Sequence, residues 1–220
     1  MEEGKCTKVE KMSAKGALFD LDGVLLDSEG IYTEFWSEMD RLFPTNVKDF
    51  AHVIKGTTLD TILPTYFPDK KVQEEIKRLL KEHEQSMSYR LFDGVIEFLD
   101  ALKAHSIPAA IVTSSKDEKM ESLFKSLPGF AEHFDVILTA DDVTRSKPDP
   151  QGYMKAAERL GLKAEDCYVF EDSIAGVEAG CRAGAKVIGL ATTNPAEKLN
   201  KADKVIDTLV GFGVNDMLAI

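Results

Sequence analysis

From residue 94 onward the chain alternates segments of helical period with apolar runs too short to be helices. Val95, Leu99 and Leu102 recur at i, i+4 and i+7, which predicts a helix, and Ile107–Val112 then reads as a buried strand. A helix over roughly 116–127 is followed by the strand Val136–Leu138. Tyr153, Ala156 and Leu160 share one helical face, Tyr168–Phe170 forms the next strand, and Ser173 caps a helix that Gly184 stops. Lys186–Leu190 and Val205-Ile206 complete the series, and Ala17–Phe19 near the start is one more strand of the same kind. Near-continuous apolar strands alternating with helices predict an α/β fold, a Rossmann-like parallel sheet covered by helices on both faces.

Residues 28–90 break this pattern, because they offer no convincing strand. Ile31, Phe35, Met39 and Leu42 fall on one helical stripe, Leu59, Ile62 and Tyr66 on a second, and Val72, Ile76, Leu79, His83 and Met87 on a third. Pro44, Pro64 and Pro68 mark turns within the block, and Phe92-Asp93-Gly94 marks the return to the alternating pattern. The expected organisation is a Rossmann-like core over 16–27 and 92–220, interrupted by an inserted all-helical cap domain over 28–91. Residues 1–15 are expected to be loosely held. Phe35, Trp36 and Tyr66 read as cap core that needs no ligand, and His83 as a packed histidine.

Composition narrows the class of partner. With 27 Lys+Arg against 38 Asp+Glu the 220-residue chain carries a net charge of −11, so no basic patch is expected to serve a nucleic acid or an anionic membrane. A chain of this size buries roughly 70–75% of its unfolded surface, enough for a core without staples. Cys6, Cys167 and Cys181 form no CxxC pair, which suggests neither a disulfide framework nor a zinc site and points to a reducing compartment. No apolar h-region opens the chain and no stretch approaches 18 apolar residues, so a cytoplasmic protein is expected.

In an open parallel sheet ligands bind beyond the carboxyl ends of the strands, so the residues just after each apolar run carry the chemistry. After Leu18-Phe19 come Asp20, Asp22 and Gly23; after Ile111-Val112 come Thr113, Ser114 and Ser115; after Tyr168–Phe170 come Glu171 and Asp172. A loop after Leu138 leads to Ser146-Lys147-Pro148, with prolines stiffening the backbone just beyond the lysine. Carboxylates gathered at one edge repel one another, and a hard divalent cation relieves them. Mg2+ fits best, because it takes one or two carboxylates together with phosphate oxygens and water. Asp20 then suits a nucleophile toward phosphorus, with the metal and Lys147 offsetting the repulsion between two anions. Asp22, crowded by ionised neighbours, is expected to have a raised pKa suited to a general acid, and afterwards to activate water.

Phe19-Asp20-Leu21-Asp22-Gly23-Val24, Thr113-Ser114-Ser115, Lys147-Pro148 and Glu171-Asp172-Ser173-Xaa-Xaa-Gly176 resemble motifs one to four of the haloacid dehalogenase (HAD) superfamily of phosphotransferases. The resemblance covers residues 16 to about 210 and includes the helical cap. It implies Asp20 as nucleophile, Asp22 as acid and base, and Thr113, Ser114 and Lys147 on the transferring phosphoryl group. It also implies Mg2+ held by the Asp20 carboxylate, the Asp22 backbone carbonyl and Asp172, with Glu171 as a ligand or as a partner one layer behind. The second aspartate argues against haloacid dehalogenation, since dehalogenases of this fold carry no acid there. A signalling receiver domain combines similar residues, but its acidic pair and its phosphorylated aspartate lie on different strands and no helical insertion follows strand one.

Within the superfamily the chain is similar to the β-phosphoglucomutase branch, through LLDSE, Lys55-Gly56, Thr113-Ser114-Ser115-Lys116 and EDSxAG. Lys55 and Gly56 would then lie in a cap loop facing the substrate. A mutase of that branch holds a distal phosphate with an arginine at the position of Leu59, and its hinge histidine corresponds to Tyr32. Both departures favour hydrolysis. The resemblance therefore implies a Mg2+-dependent phosphatase for a small phosphorylated metabolite, a sugar phosphate among the candidates, working as a monomer through an aspartyl phosphate, with the mutase as the alternative. Cap movement is expected about hinges near Asp27–Glu29 and Leu91–Gly94.

Overall fold

One six-stranded parallel sheet organises the computed structural model, which describes residues 15–55, 57–86 and 89–220. In chain order the elements are β1 (Gly16–Phe19), α1 (Glu29–Leu42), α2 (Phe50–Val53), α3 (Leu59–Tyr66), α4 (Lys70–Ser86) and α5 (Val95–Ala104). There follow β2 (Ala109–Val112), α6 (Asp117–Ser126), β3 (Val136–Leu138), α7 (Gln151–Arg159) and β4 (Cys167–Glu171). The chain ends with α8 (Ile174–Ala183), β5 (Lys186–Leu190), β6 (Lys204–Ile206) and α9 (Val214–Leu218). The expectations for residues 1–14, with Cys6, and for Gly56 and Met87 lie outside the described residues.

The strand order β3-β2-β1-β4-β5-β6 puts the first strand at the centre of the sheet. Phe19 at its end lies opposite Ile111 of β2 on one side and Phe170 of β4 on the other. The chain winds outward from β1 through β2 to β3, then returns to the far side of β1 to start β4. The order therefore reverses between β1 and β4, and such a switch point opens a crevice beyond the strand ends where ligands bind.

Strand side chains alternate between the two faces, so each face has its own core. Phe19, Ile111, Phe170 and Ile188 belong to one, with Phe98 and Leu102 of α5 and Leu123 of α6. Phe19 and Phe170 stack there at 4.5 Å between ring centroids. Leu18, Val112, Val169 and Val187 belong to the other, with Tyr153 and Ala156 of α7 and Val177 of α8. The expected strand Ile107–Val112 loses its first two residues: Pro108 has no N–H for a ladder, although its carbonyl accepts from the Ala17 amide at 2.9 Å. Ser173 does cap α8, accepting from the Gly176 amide at 2.9 Å, and Gly184 ends it with φ at +83°.

Helices α1–α4 fall between β1 and β2 and bury a third core, centred on Trp36, Phe50, Ile62, Phe67 and Ile76. Helix α2 has no counterpart in the periodicity reading, because its four residues span barely one turn. Leu42, expected on the buried stripe of α1, is 47% exposed as the last residue of the helix. His83 is packed as expected, with its ring 5.0 Å from that of Phe35. The segments leading into and out of the helical block run side by side. The Asp27 amide donates to the Arg90 carbonyl at 2.9 Å, and the Phe92 amide to the Leu25 carbonyl at 3.0 Å.

Candidate active site

Asp20 follows β1 directly, and its amide donates to the Phe170 carbonyl at 3.0 Å, which fixes the loop against β4. Glu171 ends β4 and Asp172 follows it, so both acidic segments border the switch point. One carboxylate oxygen from each of Asp20, Glu171 and Asp172 falls within 4.8 Å of the others, a set of hard oxygen ligands that fits a divalent cation such as Mg2+. Gly23 lets the loop after β1 approach this closely: its φ is +81°, and a Cβ there would lie 2.1 Å from Asp172 Oδ2.

Lys147 joins the acidic groups from the far side of the crevice. Its ammonium donates to Asp20 Oδ1 at 2.6 Å, to Glu171 Oε1 at 2.7 Å and to the Val112 carbonyl at 3.1 Å. The peptide bond to Pro148 is cis. Glu171 is fully buried and well supplied with donors: Tyr153 Oη also reaches Oε1 at 2.7 Å, while the Asp172 amide, the Ser173 amide and Ser173 Oγ all reach Oε2. A carboxylate has about four lone-pair positions, so these five donors leave Glu171 saturated. Gly176 makes room for it, since a Cβ there would stand 1.7 Å from Oε1.

The electrostatics of the two aspartates differ in sign. Burial pushes the Asp20 carboxyl up to about 7, aided by Glu171 and Asp22, even though Lys147 pulls against it. Burial would also raise Asp22, but Lys119, helped by Ser28 and Ser115, outweighs it and leaves the carboxyl below its ordinary value. The expectation of a raised Asp22 is therefore corrected: a cation, absent from that reasoning, sits closer than any neighbouring anion. Lys119 is 1% exposed, donates to Asp22 Oδ1 at 2.7 Å and Oδ2 at 2.6 Å, and lies 4.5 Å above the Tyr32 ring. Ser28 Oγ also donates to Oδ1, and Ser115 Oγ to Oδ2 at 3.1 Å.

Sequence reasoning missed Lys119, Ser28 and Tyr153 as site residues. A signal existed for the first, because Lys119, Leu123 and Leu127 are spaced i, i+4, i+8 and place a lysine on an apolar stripe of α6. Tyr153 was legible only as a core position, and its hydroxyl points through that core to Glu171.

A cavity of about 570 Å³ opens between the strand ends and the helical block. Asp20, Asp22, Thr113, Ser114 and Asp172 line its floor, and Lys55 lies on its wall. Lys147 and Thr113 border a smaller adjoining recess. Thr113 is 5% exposed and its Oγ1 accepts from the Ser115 amide at 3.0 Å, so the turn after β2 is preorganised. Trp36 packs on Phe35 and Phe50 in the cap core as expected and also borders the main cavity. Across the cavity rim Lys116 meets Asp60 at 3.0 Å and Lys81 meets Glu118 at 3.1 Å, joining α6 and its N-terminal flank to α3 and α4. Among the described residues no helix is long and apolar enough to cross a membrane.

A family model described as haloacid dehalogenase-like hydrolase matches residues 17–190. The chain is 34% identical over 204 residues to validoxylamine A 7'-phosphate phosphatase of Streptomyces hygroscopicus subsp. limoneus, a match spanning 89% of this chain and 94% of that protein. It is 35% identical over 205 residues to hexitol phosphatase A of Escherichia coli (strain K12), spanning 90% and 93%. Among solved structures, a β-phosphoglucomutase from Clostridium difficile superposes with a TM-score of 0.79 over 94% of this chain and 96% of that one. At 20% identity that last likeness is one of fold alone.

Proposed function

The chain belongs to the haloacid dehalogenase-like hydrolase family and is a phosphoric monoester hydrolase, and from this premise we propose that it releases phosphate from a small phosphorylated metabolite through an aspartyl phosphate on Asp20. One observation carries the reading: the Asp20 carboxylate stands at the floor of the cavity, held by Lys147 at 2.6 Å and grouped with Glu171 and Asp172. Sugar phosphates are natural candidates, since relatives named for hexitol and validoxylamine phosphates are similar over nearly their whole length.

In this reading the Asp20 oxygen attacks phosphorus while Thr113, Ser114 and Lys147 hold the phosphoryl oxygens. The bond from phosphorus to the substrate oxygen breaks, and Asp22 supplies the proton that the leaving alcohol needs. Water then attacks the aspartyl phosphate, with Asp22 taking its proton, and inorganic phosphate leaves with Asp20 restored. The lowered pKa of Asp22 suits this second half; because the substrate-free group is ionised, it takes up a proton from solvent as the substrate binds, passes it to the leaving alcohol, and releases the one gained from water when phosphate departs. Bound Mg2+ would supply charge to offset the approach of two anions. Asp20, the Asp22 carbonyl and Asp172 would hold it. Direct ligation by Glu171 would displace one of its donors, so we assign Glu171 to holding Lys147 beside the metal.

The helical block over 28–91 acts as a cap on the core of 16–27 and 92–220, with Lys55 facing the substrate. The enzyme is read as a cytoplasmic monomer. The mutase alternative is weaker, because Leu59 stands where that branch places a cation for a distal phosphate. Phosphate release from a panel of sugar phosphates and nucleotides with Mg2+, beside Asp20→Asn, tests the proposal. Release that vanishes in the variant supports it; faster interconversion of β-glucose 1-phosphate and glucose 6-phosphate than phosphate release would overturn it.

A further inference from the structure

The part of the cavity remote from Asp20 is not built for a sugar alone. Trp36 of α1, Ile54 after α2, Leu59 and Ile62 of α3, and Leu80 of α4 form an apolar roof above the acidic floor. Such a surface offers a polyol few partners, whereas it gains by covering an apolar face. At about 570 Å³ the cavity lies within the range of about 300–1,000 Å³ typical of sites for ligands larger than a hexose phosphate.

Paired charge around the cavity disfavours a second phosphate. Of the five cations among the described residues that line the cavity, four already meet carboxylates, Lys77 with Glu74 at 2.9 Å, Arg78 with Glu75 and Glu82, Lys81 with Glu118, and Lys116 with Asp60, while the fifth, Lys55, lies on the wall. Glu74, Glu84 and Glu118 also line the space, so a distal anion would face carboxylates unless those pairs were separated.

Resting on the phosphatase reading above, we propose that the preferred substrate is the monophosphate ester of a ring-bearing alcohol, uncharged and apolar at the end remote from the phosphate. The phosphoryl group lies at the strand ends and the ring lies under Trp36, Ile54, Leu59, Ile62 and Leu80. Thr33 also faces the cavity and can meet the polar linker of the alcohol.

A matched pair of probes tests this without any variant. Ribitol 5-phosphate and riboflavin 5'-phosphate share a ribityl phosphate end and differ by a fused ring system. With Mg2+ the ring-bearing probe is expected to show kcat/KM higher by about tenfold or more, as burial of one ring face predicts. Fructose 1,6-bisphosphate is expected to be poorer than fructose 6-phosphate. Leu59→Asn and Leu80→Asn, at half-buried positions, are expected to bring the ratio between the ribityl probes toward one. Equal or better turnover of ribitol 5-phosphate would overturn the substrate class while leaving the phosphatase reading intact. Turnover of none of the four esters would instead strike at the phosphatase reading itself.

Discussion

Lys119 donates to both carboxylate oxygens of Asp22, at 2.7 Å and 2.6 Å, across 97 residues of sequence. The lysine is 1% exposed, so the pair trades desolvation of an ammonium for a fixed orientation of the aspartate. Removing the lysine leaves a half-buried charge without its strongest partner. Lys119→Met is expected to lose about 3 kcal/mol of stability, toward the low end for broken buried pairs because Asp22 keeps some solvent contact. The sign of its pH dependence follows from the lowered Asp22 carboxyl. A depressed folded-state pKa contributes stability above the ordinary value of 3.8, and that contribution fades as pH falls through the folded value. Urea melts of both proteins at pH 7 and pH 3 should therefore show the gap closing in acid. A gap that stays constant would mean that the pair does not set the charge of Asp22.

Asp20→Asn separates chemistry from stability. Phosphate release should fall by about 10⁴-fold or more, as loss of a nucleophile generally does. The fold should tolerate the change, because burial already pushes the Asp20 carboxyl up to about 7 and Lys147 retains Glu171. Stopped assays and thermal melts on one preparation check both halves. A large drop in the melting temperature with residual turnover would assign Asp20 a structural part instead.

Chelation of Mg2+ should abolish turnover, and its readdition should raise the melting temperature of the wild-type protein. Saturation at 100 times Kd corresponds to about 2.7 kcal/mol. Asp172→Asn should blunt the shift, since that carboxylate belongs to the acidic triad. Calorimetric titration of Mg2+ into both proteins measures the difference, and equal affinities would remove Asp172 from the metal site.

Gly176→Ala tests how firmly Glu171 is held. The new Cβ would stand 1.7 Å from Oε1, and a carboxylate pinned by Lys147, Tyr153 and Ser173 has little freedom to retreat. A loss of about 1–3 kcal/mol is expected, in the range of overpacked cores. Turnover should fall with it, because a displaced Glu171 shifts Lys147. Unchanged kcat at full folding would show that Lys147 does not depend on Glu171.

Much of this architecture was readable wherever the chain is apolar without interruption. Val136–Leu138 and Lys186–Leu190 form strands over the residues anticipated, because strands of a parallel sheet covered by helices carry short, nearly continuous apolar runs. Ser173 and Gly184 marked both ends of α8 through local hydrogen bonding and backbone conformation. Helix α2 was invisible for the opposite reason: its four residues are held by tertiary contacts of Phe50 with Trp36 and Phe67, not by any periodicity. Asp22 was placed in the site but given the wrong electrostatic sign, since that sign depends on a lysine far along the chain. Thr113, Lys147, Glu171 and Asp172 come together because each lies at the carboxyl end of a strand of one sheet or on the loop that leaves it.

The separation between Asp20 and Lys147 also matters for a chain still being made. During synthesis at about 5–20 residues per second, Asp20 emerges well before the lysine, which lies 127 residues later. Strand β4, the partner that holds the Asp20 amide through Phe170, emerges later still. A nascent or truncated polypeptide thus exposes a bare aspartate with neither its ammonium nor its neighbouring acids. Competence to cleave esters arrives only once the second half of the sheet has closed against the first.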